Sequence, residues 1–303
     1  MYLSISKTRL ENIVHPQRLW IIFFLFLIGC GNDFTEKPQT INVSALPDRS
    51  SEAVREQHVQ LIESICNKID ITCQWVDSPD YKSLVHQFGK GEIDLAYLGG
   101  VTFILAHERY GAIPLVMRDI DMHFTSSIYV HENNNTINDL KDLKGKAVSF
   151  GPFYSTSGHI MPRYYLRRKN IESEKYFALT THSSGHDDTL AQIVKGEIDA
   201  GIVNSHIAED ILHDKKLPLK LIWETPPYMN YVWVIHPSMS DSLQTKLQNA
   251  FLELNISAPV DKIILEKQGA RGYLPVLIDD FIDVQHAARY LLSEQNLPAE
   301  QKK

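Results

Sequence analysis

The feature that most constrains the fold of this chain is an internal repeat. The pentapeptide KGEID begins at Lys90 and recurs unchanged at Lys195, 105 residues later. An amphipathic pattern precedes each copy (YKSLVHQFG and HDDTLAQIV), and an apolar stretch follows it. Gly91 and Gly196 stand where a helix can end in the left-handed conformation. Each copy therefore predicts one helix-to-strand unit, and we expect two related α/β lobes.

The pattern around the repeat indicates the fold class. Short apolar strands alternate with amphipathic helices through residues 41–117 and again through residues 146–203, which is typical of α/β folds. The composition, 44% hydrophobic and 22% charged, suits a globular protein. Because open α/β sheets bind ligands at the carboxyl ends of their strands, two facing lobes would form a ligand cleft.

Two extended, β-rich stretches bracket the second unit, Thr125 to His131 and Tyr231 to His236. They are predicted to be crossing strands that join the lobes as a two-strand hinge. The helices predicted after the second stretch must then pack back on the first lobe. Lobe I would comprise residues 41–123 and 232–303, and lobe II residues 124–231. This is the architecture of a bilobed solute receptor that closes on its ligand.

The N-terminus has the order of an export signal. Three basic residues are followed by the apolar run LWIIFFLFLI and then by LIGC, which ends at Cys30. The run is shorter than the about 20 residues that span a bilayer, which favours a signal peptide over residues 1–29. LIGC resembles the lipobox of bacterial lipoproteins, so Cys30 is predicted to be lipidated, with residues 30–40 as a tether. The alternative is a signal anchor with an incidental cysteine. We expect an exported lipoprotein, periplasmic or at the cell surface, anchored to a bacterial membrane.

Charge and cysteine content exclude several classes of protein. The 30 basic and 37 acidic residues give a formal charge of −7 without any basic run, so nucleic acid is not an expected partner. No Cys/His cluster has zinc-site spacing, and neither a metal nor another cofactor is expected. Cys66 and Cys73 can form a local disulfide in an oxidising compartment, or they can remain two free buried thiols; the sequence leaves both open.

The candidate binding site begins at three consecutive hydroxyl residues, Ser155, Thr156 and Ser157, between a predicted strand and the next helix. Their O–H groups, together with the N–H groups of the first helical turn, can donate hydrogen bonds to an anion. The alternative is that Ser155 or Ser157 only caps the helix, because capping and anion binding use the same groups.

Three further residues lie where the lobes would face each other. His186 and Tyr81 hold equivalent positions in the two repeats, each at the start of its helix, and can donate hydrogen bonds from opposite lobes. His186 would add charge if protonated. Asn204, at a strand end, can reach the ligand or cap the helix that follows. The alternatives for His186 and Tyr81 are a solvated histidine and a packing tyrosine.

These features recur in order in one known family. The segments that carry the resemblance are the lipobox, PDY at residues 79–81, GEIDLAYLG at 91–99, STSG at 155–158 with PRYY at 162–165, GH at 185–186 and GARGYLP at 269–275. Together they resemble the phosphate-, phosphite- and phosphonate-binding lipoproteins and periplasmic proteins of ABC transporters, the PhnD-like family. The resemblance covers about residues 40 to 290.

The resemblance implies a type II periplasmic-binding-protein fold and a phosphorus oxyanion held by Tyr81, Ser155, Thr156, Ser157 and His186. It also implies an ABC permease as partner and a monomeric receptor without catalytic activity. Leu98 departs from the aromatic residue that members often have at its position. The segments after Asn204 also lack the carboxylate expected for an aminoalkyl phosphonate. Phosphite, phosphate, methylphosphonate or another small anion remain open.

Two other functions stay open at this point. The first is an exported serine hydrolase that uses Ser155 or Ser157 with His186 as base, although the sequence has no G-x-S-x-G elbow. The second is a subunit that senses the ligand for a membrane signalling protein. An ester-hydrolysis assay would test the hydrolase, and neighbouring genes would separate uptake from sensing.

Overall fold

The computed structural model describes residues 39–293. The predicted signal peptide and lipidated Cys30 lie outside these residues, and only the last two residues of the predicted tether lie within them. Among the residues that the structure describes, no helix is long and apolar enough to cross a membrane.

The chain forms strands and helices in alternation, as the sequence predicts. The strands are β1 Thr40–Ala45, β2 Thr72–Trp75, β3 Leu95–Leu98, β4 Ile113–Arg118, β5 Ser126–His131, β6 Ala147–Phe150, β7 Leu179–His182, β8 Ala200–Asn204, β9 Leu219–Glu224, β10 Val232–Ile235 and β11 Tyr273–Pro275. The α-helices are α1 Ser51–Lys68, α2 Tyr81–Gly89, α3 Gly100–Tyr110, α4 Met161–Arg168, α5 Ser173–Tyr176, α6 His186–Val194, α7 Ser205–Lys215, α8 Asp241–Leu252, α9 Pro259–Lys267 and α10 Ile282–Leu291. Single turns of other helix types cover Asp119–His123, Leu140–Leu143, Thr156–Ile160 and Ile278–Phe281.

The strands form two sheets with matching order. Sheet I runs β11-β4-β10-β3-β1-β2, and sheet II runs β7-β6-β8-β5-β9. In each sheet three parallel strands are followed by an antiparallel strand, which is β10 in sheet I and β5 in sheet II. The fold is therefore mixed α/β, with two similarly ordered sheets.

The repeated pentapeptide forms the same local structure twice. Gly91 and Gly196 both have φ of +71°, and each lies two residues after the end of its helix, α2 or α6. Asp94 and Asp199 then accept hydrogen bonds from the backbone N–H of Asn42 and Ala147, at 2.7 and 2.8 Å. Each aspartate thus ties its repeat to the equivalent strand of its sheet, β1 or β6, which gives the repeated aspartate a structural role beside the glycine.

Replacing Gly196 by Ala is expected to lower the free energy of unfolding by about 1 kcal/mol, because a Cβ is strained at positive φ. The open space around this residue leaves no steric clash to add to that cost. Gly272 has the same open surroundings without a positive φ, so Gly272→Ala is the matched control and should change stability little. Urea denaturation measures both, and equal stabilities of the two variants would contradict the assignment.

Two chain segments connect the sheets side by side, as expected, but the stretches predicted to form this connection, Thr125–His131 and Tyr231–His236, lie beside it. β5 pairs only within sheet II and β10 only within sheet I, because each begins after the chain has already changed sheets. The two segments that run from one sheet to the other meet at Phe124 and Tyr228, whose backbones exchange two hydrogen bonds of 2.9 Å. This short antiparallel bridge joins the two passages between the sheets.

Apolar side chains cover both faces of each sheet. Consecutive residues of β3 are all buried in the largest cluster, and since neighbouring strand residues point to opposite faces, this cluster packs on both sides of sheet I. In sheet II, Ile128 and Tyr129 belong to separate clusters on its two faces. Cys66 of α1 and Cys73 of β2 are joined as a disulfide, with their Cα atoms 6.1 Å apart.

Candidate functional site

The hydroxyl-rich turn predicted from the sequence begins a π-helical turn, Thr156–Ile160. Its wide hydrogen bond runs from the N–H of Ile160 to the carbonyl of Ser155, at 3.0 Å. Single π-helical turns of this kind occur frequently at functional sites. Ser155, Thr156 and Ser157 are all nearly inaccessible to solvent, with exposed fractions of 2%, 3% and 1%. Three buried hydroxyl groups are thus held on one turn.

Ser155 and Thr156 already accept hydrogen bonds, which leaves their protons available. The Ser155 hydroxyl accepts the N–H of Gly158 at 2.9 Å, so the capping alternative is realised for this residue. The Thr156 hydroxyl accepts the N–H of Val101, in the first turn of α3, at 2.9 Å. Because a hydroxyl that accepts one bond keeps its own O–H, both side chains can still donate to an anion.

Two glycines allow the turn to approach its neighbours. A Cβ on Gly158 would lie 2.8 Å from the Cα of Gly151 and 2.9 Å from the His186 ring. The backbones of Gly151 and Gly158 are also joined by a hydrogen bond of 2.9 Å. The STSG motif therefore needs its glycine for close packing, and this packing brings His186 against the turn.

His186 begins α6, as predicted, and is buried as a neutral donor. Its Nδ1 accepts the backbone N–H of Asn204 at 3.3 Å, so the ring proton is on Nε2. Burial, together with the positive charge of Arg49, lowers the pKa of His186 to about 3. The Nε2 atom is buried without a hydrogen-bond partner. The charge that a protonated His186 would add is therefore absent near neutral pH.

Tyr81 begins α2 on the side of sheet I, at the position equivalent to His186. Its hydroxyl faces the Ser155 side chain but makes no hydrogen bond of normal geometry, and it is buried. Burial raises the pKa of Tyr81 well above its usual value, with a further contribution from the charge of Asp48. Tyr81 is thus a second neutral donor whose proton has no acceptor among the described residues.

Asn204 is used mainly for structure. Its side-chain oxygen accepts the N–H of Ile207 and caps α7 at 3.0 Å, which is the capping alternative. Its amide nitrogen donates to the hydroxyl of Tyr231 at 3.1 Å. Through its backbone N–H, Asn204 also fixes the tautomer of His186. These bonds leave one amide proton for any other acceptor.

Sequence reasoning missed Asp48, which follows β1. Asp48 is 8% exposed, accepts the Tyr231 hydroxyl at 2.7 Å, and lies with Oδ1 3.7 Å from Nε of Arg49. Its carbonyl accepts the backbone N–H of His186 at 3.0 Å. The position at a strand's carboxyl end was the available signal, since that edge also carries the other candidates. Tyr231 is 183 residues distant, so the contact itself has no local signal.

The site thus brings Tyr81, Ser155, Thr156, Ser157 and His186 to the region where the two sheets meet. Its donors are uncharged hydroxyl and imidazole groups. Within residues 39–293 no group of three or more His, Cys, Asp or Glu side chains is arranged to hold a metal ion. Several neutral donors facing inward can chemically satisfy the oxygens of one small anion.

Comparison with known proteins gives a consistent result. Residues 43–281 match the profile of the family described as "ABC transporter, phosphonate, periplasmic substrate-binding protein". A protein of Prochlorococcus marinus, described as a probable ABC transporter phosphite binding protein, PhnD1, is 26% identical over 84% of this chain and 90% of its own. The phosphonates-binding periplasmic protein of Escherichia coli is 24% identical, over 77% of this chain and 71% of its own.

Solved structures agree with the sequence matches. The structure of Prochlorococcus marinus PhnD1 in complex with methylphosphonate superposes with a TM-score of 0.79 at 26% identity, covering 86% of this chain and all of the other. A binding-protein component of an ABC phosphonate transporter from Pseudomonas aeruginosa, 19% identical, has a TM-score of 0.77 and covers 88% of this chain and 92% of its own. The fold is that of periplasmic binding proteins, as the sequence predicts, and this chain belongs to the family of periplasmic substrate-binding proteins of phosphonate ABC transporters.

Proposed function

We propose that this protein captures a compact phosphorus oxyanion between two lobes and delivers it to the permease of an ABC transporter. The observation that carries the proposal is a pair of buried donors without partners, the Tyr81 hydroxyl and the His186 Nε2–H, on either side of the turn that begins at Ser155. Leaving two such groups unsatisfied costs about 1 to 3 kcal/mol each, which a bound oxyanion would recover.

The proposed ligand contacts are Tyr81 from lobe I and Ser155, Thr156, Ser157 and His186 from lobe II. The three hydroxyl groups and the imidazole share one turn and its packed neighbour, which supports a common ligand. We assign Asn204 a supporting role, since its hydrogen bonds hold His186 and Tyr231. It keeps one amide proton with which to reach a ligand.

We keep the predicted lobes, residues 41–123 with 232–303 and residues 124–231, as the bodies that close. Two hydrogen bonds across the cleft support this: Val101 N–H to the Thr156 hydroxyl and His186 N–H to the Asp48 carbonyl. Closure would bend the passages near the Phe124–Tyr228 bridge, where few hydrogen bonds need to break.

The names of the relatives support phosphite, phosphate or a small phosphonate as ligand. They are described as a phosphite-binding protein, a phosphate-import protein and a phosphonates-binding protein, and one structure holds methylphosphonate. An amino-substituted phosphonate would need a free carboxylate. The carboxylate of Asp48, whose backbone carbonyl contacts His186, already accepts Tyr231 and faces Arg49. This supports ligands without an amino group.

We propose further that the protein catalyses no reaction. A serine hydrolase needs a histidine that can accept the serine proton. The Nε2 of His186 instead carries a proton, since Nδ1 accepts the backbone of Asn204, and this supports binding without chemistry. The lipid anchor at Cys30 and the monomeric state are parts of the same proposal. Mass spectrometry of the membrane fraction would test the first, and light scattering the second.

A thermal-shift panel tests the proposed ligand class. Phosphate, phosphite, methylphosphonate, 2-aminoethylphosphonate, sulfate and acetate are compared with sodium chloride at equal ionic strength. At least one of the first three is expected to stabilise the protein by about 4 kcal/mol at a thousandfold excess over its Kd, with a smaller effect of the amino compound. Stabilisation by acetate alone, or by none of the phosphorus compounds, would overturn the proposal.

A further inference from the structure

A second cavity borders the proposed anion site. It has a volume of about 380 Å³ and lies between α2, α3 and Tyr154. Tyr81 forms one of its walls, and the hydroxyl of the same residue faces Ser155. Tyr154 directly precedes Ser155 in the chain. The cavity and the anion site are therefore separated by the Tyr81 side chain and by the loop that carries the hydroxyl residues.

The charged side chains that line this cavity are basic. Lys82 and Arg109 stand at its edge with His86, whereas no carboxylate is among its lining residues in the described part of the chain. Both Lys82 and Arg109 are exposed. Within residues 39–293 neither forms an ion pair, in contrast to Arg289, which pairs with Glu108 on the same helix as Arg109. Neither charge is therefore neutralised by a direct ion pair within the described residues.

The cavity on the Asp48 side of the cleft differs in its charges. It measures about 300 Å³, and its lining includes both signs. Its cations are Arg49, Arg118 and Lys267, and its carboxylates are Asp48, Asp210 and Glu266. Arg118 is moreover paired with the buried Asp121 at 2.8 Å. An approaching anion would meet nearly balanced charge on this side and unbalanced positive charge on the other.

The overall charge makes this difference important. With a formal charge of −7, the protein repels an anion at long range. Within about one Debye length, roughly 10 Å at 0.1 M salt, local cations beside a low-dielectric wall can reverse that repulsion. We propose that the anion enters the cleft along the Tyr81–Tyr154 face, where Lys82 and Arg109 attract it and raise its association rate. This inference rests on the proposed function and adds the route by which the ligand arrives.

The exposure of the two side chains predicts which rate they control. Lys82 and Arg109 lie outside the buried set of donors, so they should act on the approaching ligand and not on the bound one. Charges at the edge of a site change the association rate and its salt dependence, whereas buried contacts change the dissociation rate. A direct ligand contact would therefore give a different kinetic signature.

The test is stopped-flow binding of methylphosphonate, phosphite and phosphate, followed by intrinsic tryptophan fluorescence, at about 20 mM and about 500 mM salt. The double variant Lys82→Glu/Arg109→Glu is compared with Lys215→Glu/Lys246→Glu, which changes the net charge equally. Lys215 and Lys246 are exposed, lie on α7 and α8, and line neither cavity. Circular dichroism confirms that both variants are folded.

At low salt, the Lys82/Arg109 variant is expected to associate about tenfold more slowly than the control variant, with an unchanged dissociation rate. At high salt the two association rates should converge. Equal association rates at low salt, or a change confined to dissociation, would overturn the entry route while leaving the proposed function intact. Failure of the wild-type protein to bind any of the three compounds would overturn both.

Discussion

Acidification from pH 6.5 to pH 5 is expected to destabilise this protein by several kcal/mol. His58, His159 and His186 are all buried, and burial is the largest cause that lowers the pKa of each below the ordinary 6.5. For His58 and His159 the positive charge of nearby arginines adds to this, and for His159 the neighbouring His182 adds as well. The folded protein therefore holds these rings neutral while the unfolded chain protonates them.

The sign follows from proton binding. Below pH 6.5 the unfolded state binds more protons than the folded state, so the free energy of unfolding falls as the pH falls. The stabilisation is fully present above pH 6.5 and is lost as the pH falls towards the folded pKa values, which for His186 is about 3. Each buried histidine contributes up to about 1.4 kcal/mol per pH unit, so three are a large part of a typical total of about 5 to 15 kcal/mol.

Urea denaturation at several pH values between 7.5 and 5 measures this slope. In His159→Gln the free energy of unfolding should depend less steeply on pH, by the equivalent of about one proton, because Gln does not titrate. His213→Gln is the matched control, because the His213 side chain is 90% exposed and should leave the slope unchanged. A wild-type stability that stays constant from pH 6.5 to pH 5 would contradict the buried, neutral state of these histidines.

Removing both unpartnered donors of the proposed site should reduce oxyanion affinity by about two to four orders of magnitude. A hydrogen bond to a charged group contributes about 1.5 to 3 kcal/mol, so Tyr81→Phe and His186→Ala should each weaken binding at least about tenfold. Tyr81→Phe deletes only the hydroxyl oxygen, which makes it the cleaner variant. His186→Ala also removes a ring that packs on Gly151 and Gly158.

Isothermal titration calorimetry with methylphosphonate, phosphite and phosphate, on both single variants and the double variant, completes a double-mutant cycle. Its interaction energy reports whether the two donors act on one ligand. Tyr176→Phe is the matched control. The Tyr176 hydroxyl donates to the carbonyl of Lys141 in lobe II, outside the proposed site, so its removal should not change affinity. Unchanged affinity in both single variants would remove these residues from the site.

Local patterns predicted much of the fold correctly. The starts of α2 and α6 at Tyr81 and His186, and the left-handed glycines after both helices, follow from short-range rules of helix periodicity and capping. The repeat predicted two related α/β units, and the structure shows two sheets of similar strand order. That the hydroxyl turn holds an anion, which the residues and the family resemblance both indicate, stays a prediction.

The rest depended on contacts that no local pattern contains. β11 has three residues, one of them proline, and forms because β4 offers it a sheet edge. The two segments that connect the sheets are held together by the Phe124–Tyr228 bridge rather than by the apolar stretches beside it. The neutral state of His186 depends on complete burial and on Arg49, and its tautomer depends on Asn204. The neighbours of His186 in sequence reveal none of these.

The matching order of the two sheets has a consequence for how such a receptor can diversify. Tyr81 and His186 start equivalent helices beside sheets of the same strand order, although their side chains differ. A phenol on one half and an imidazole on the other occupy the same kind of position. In the proposed site, each half can therefore be retuned by a single substitution without altering its counterpart.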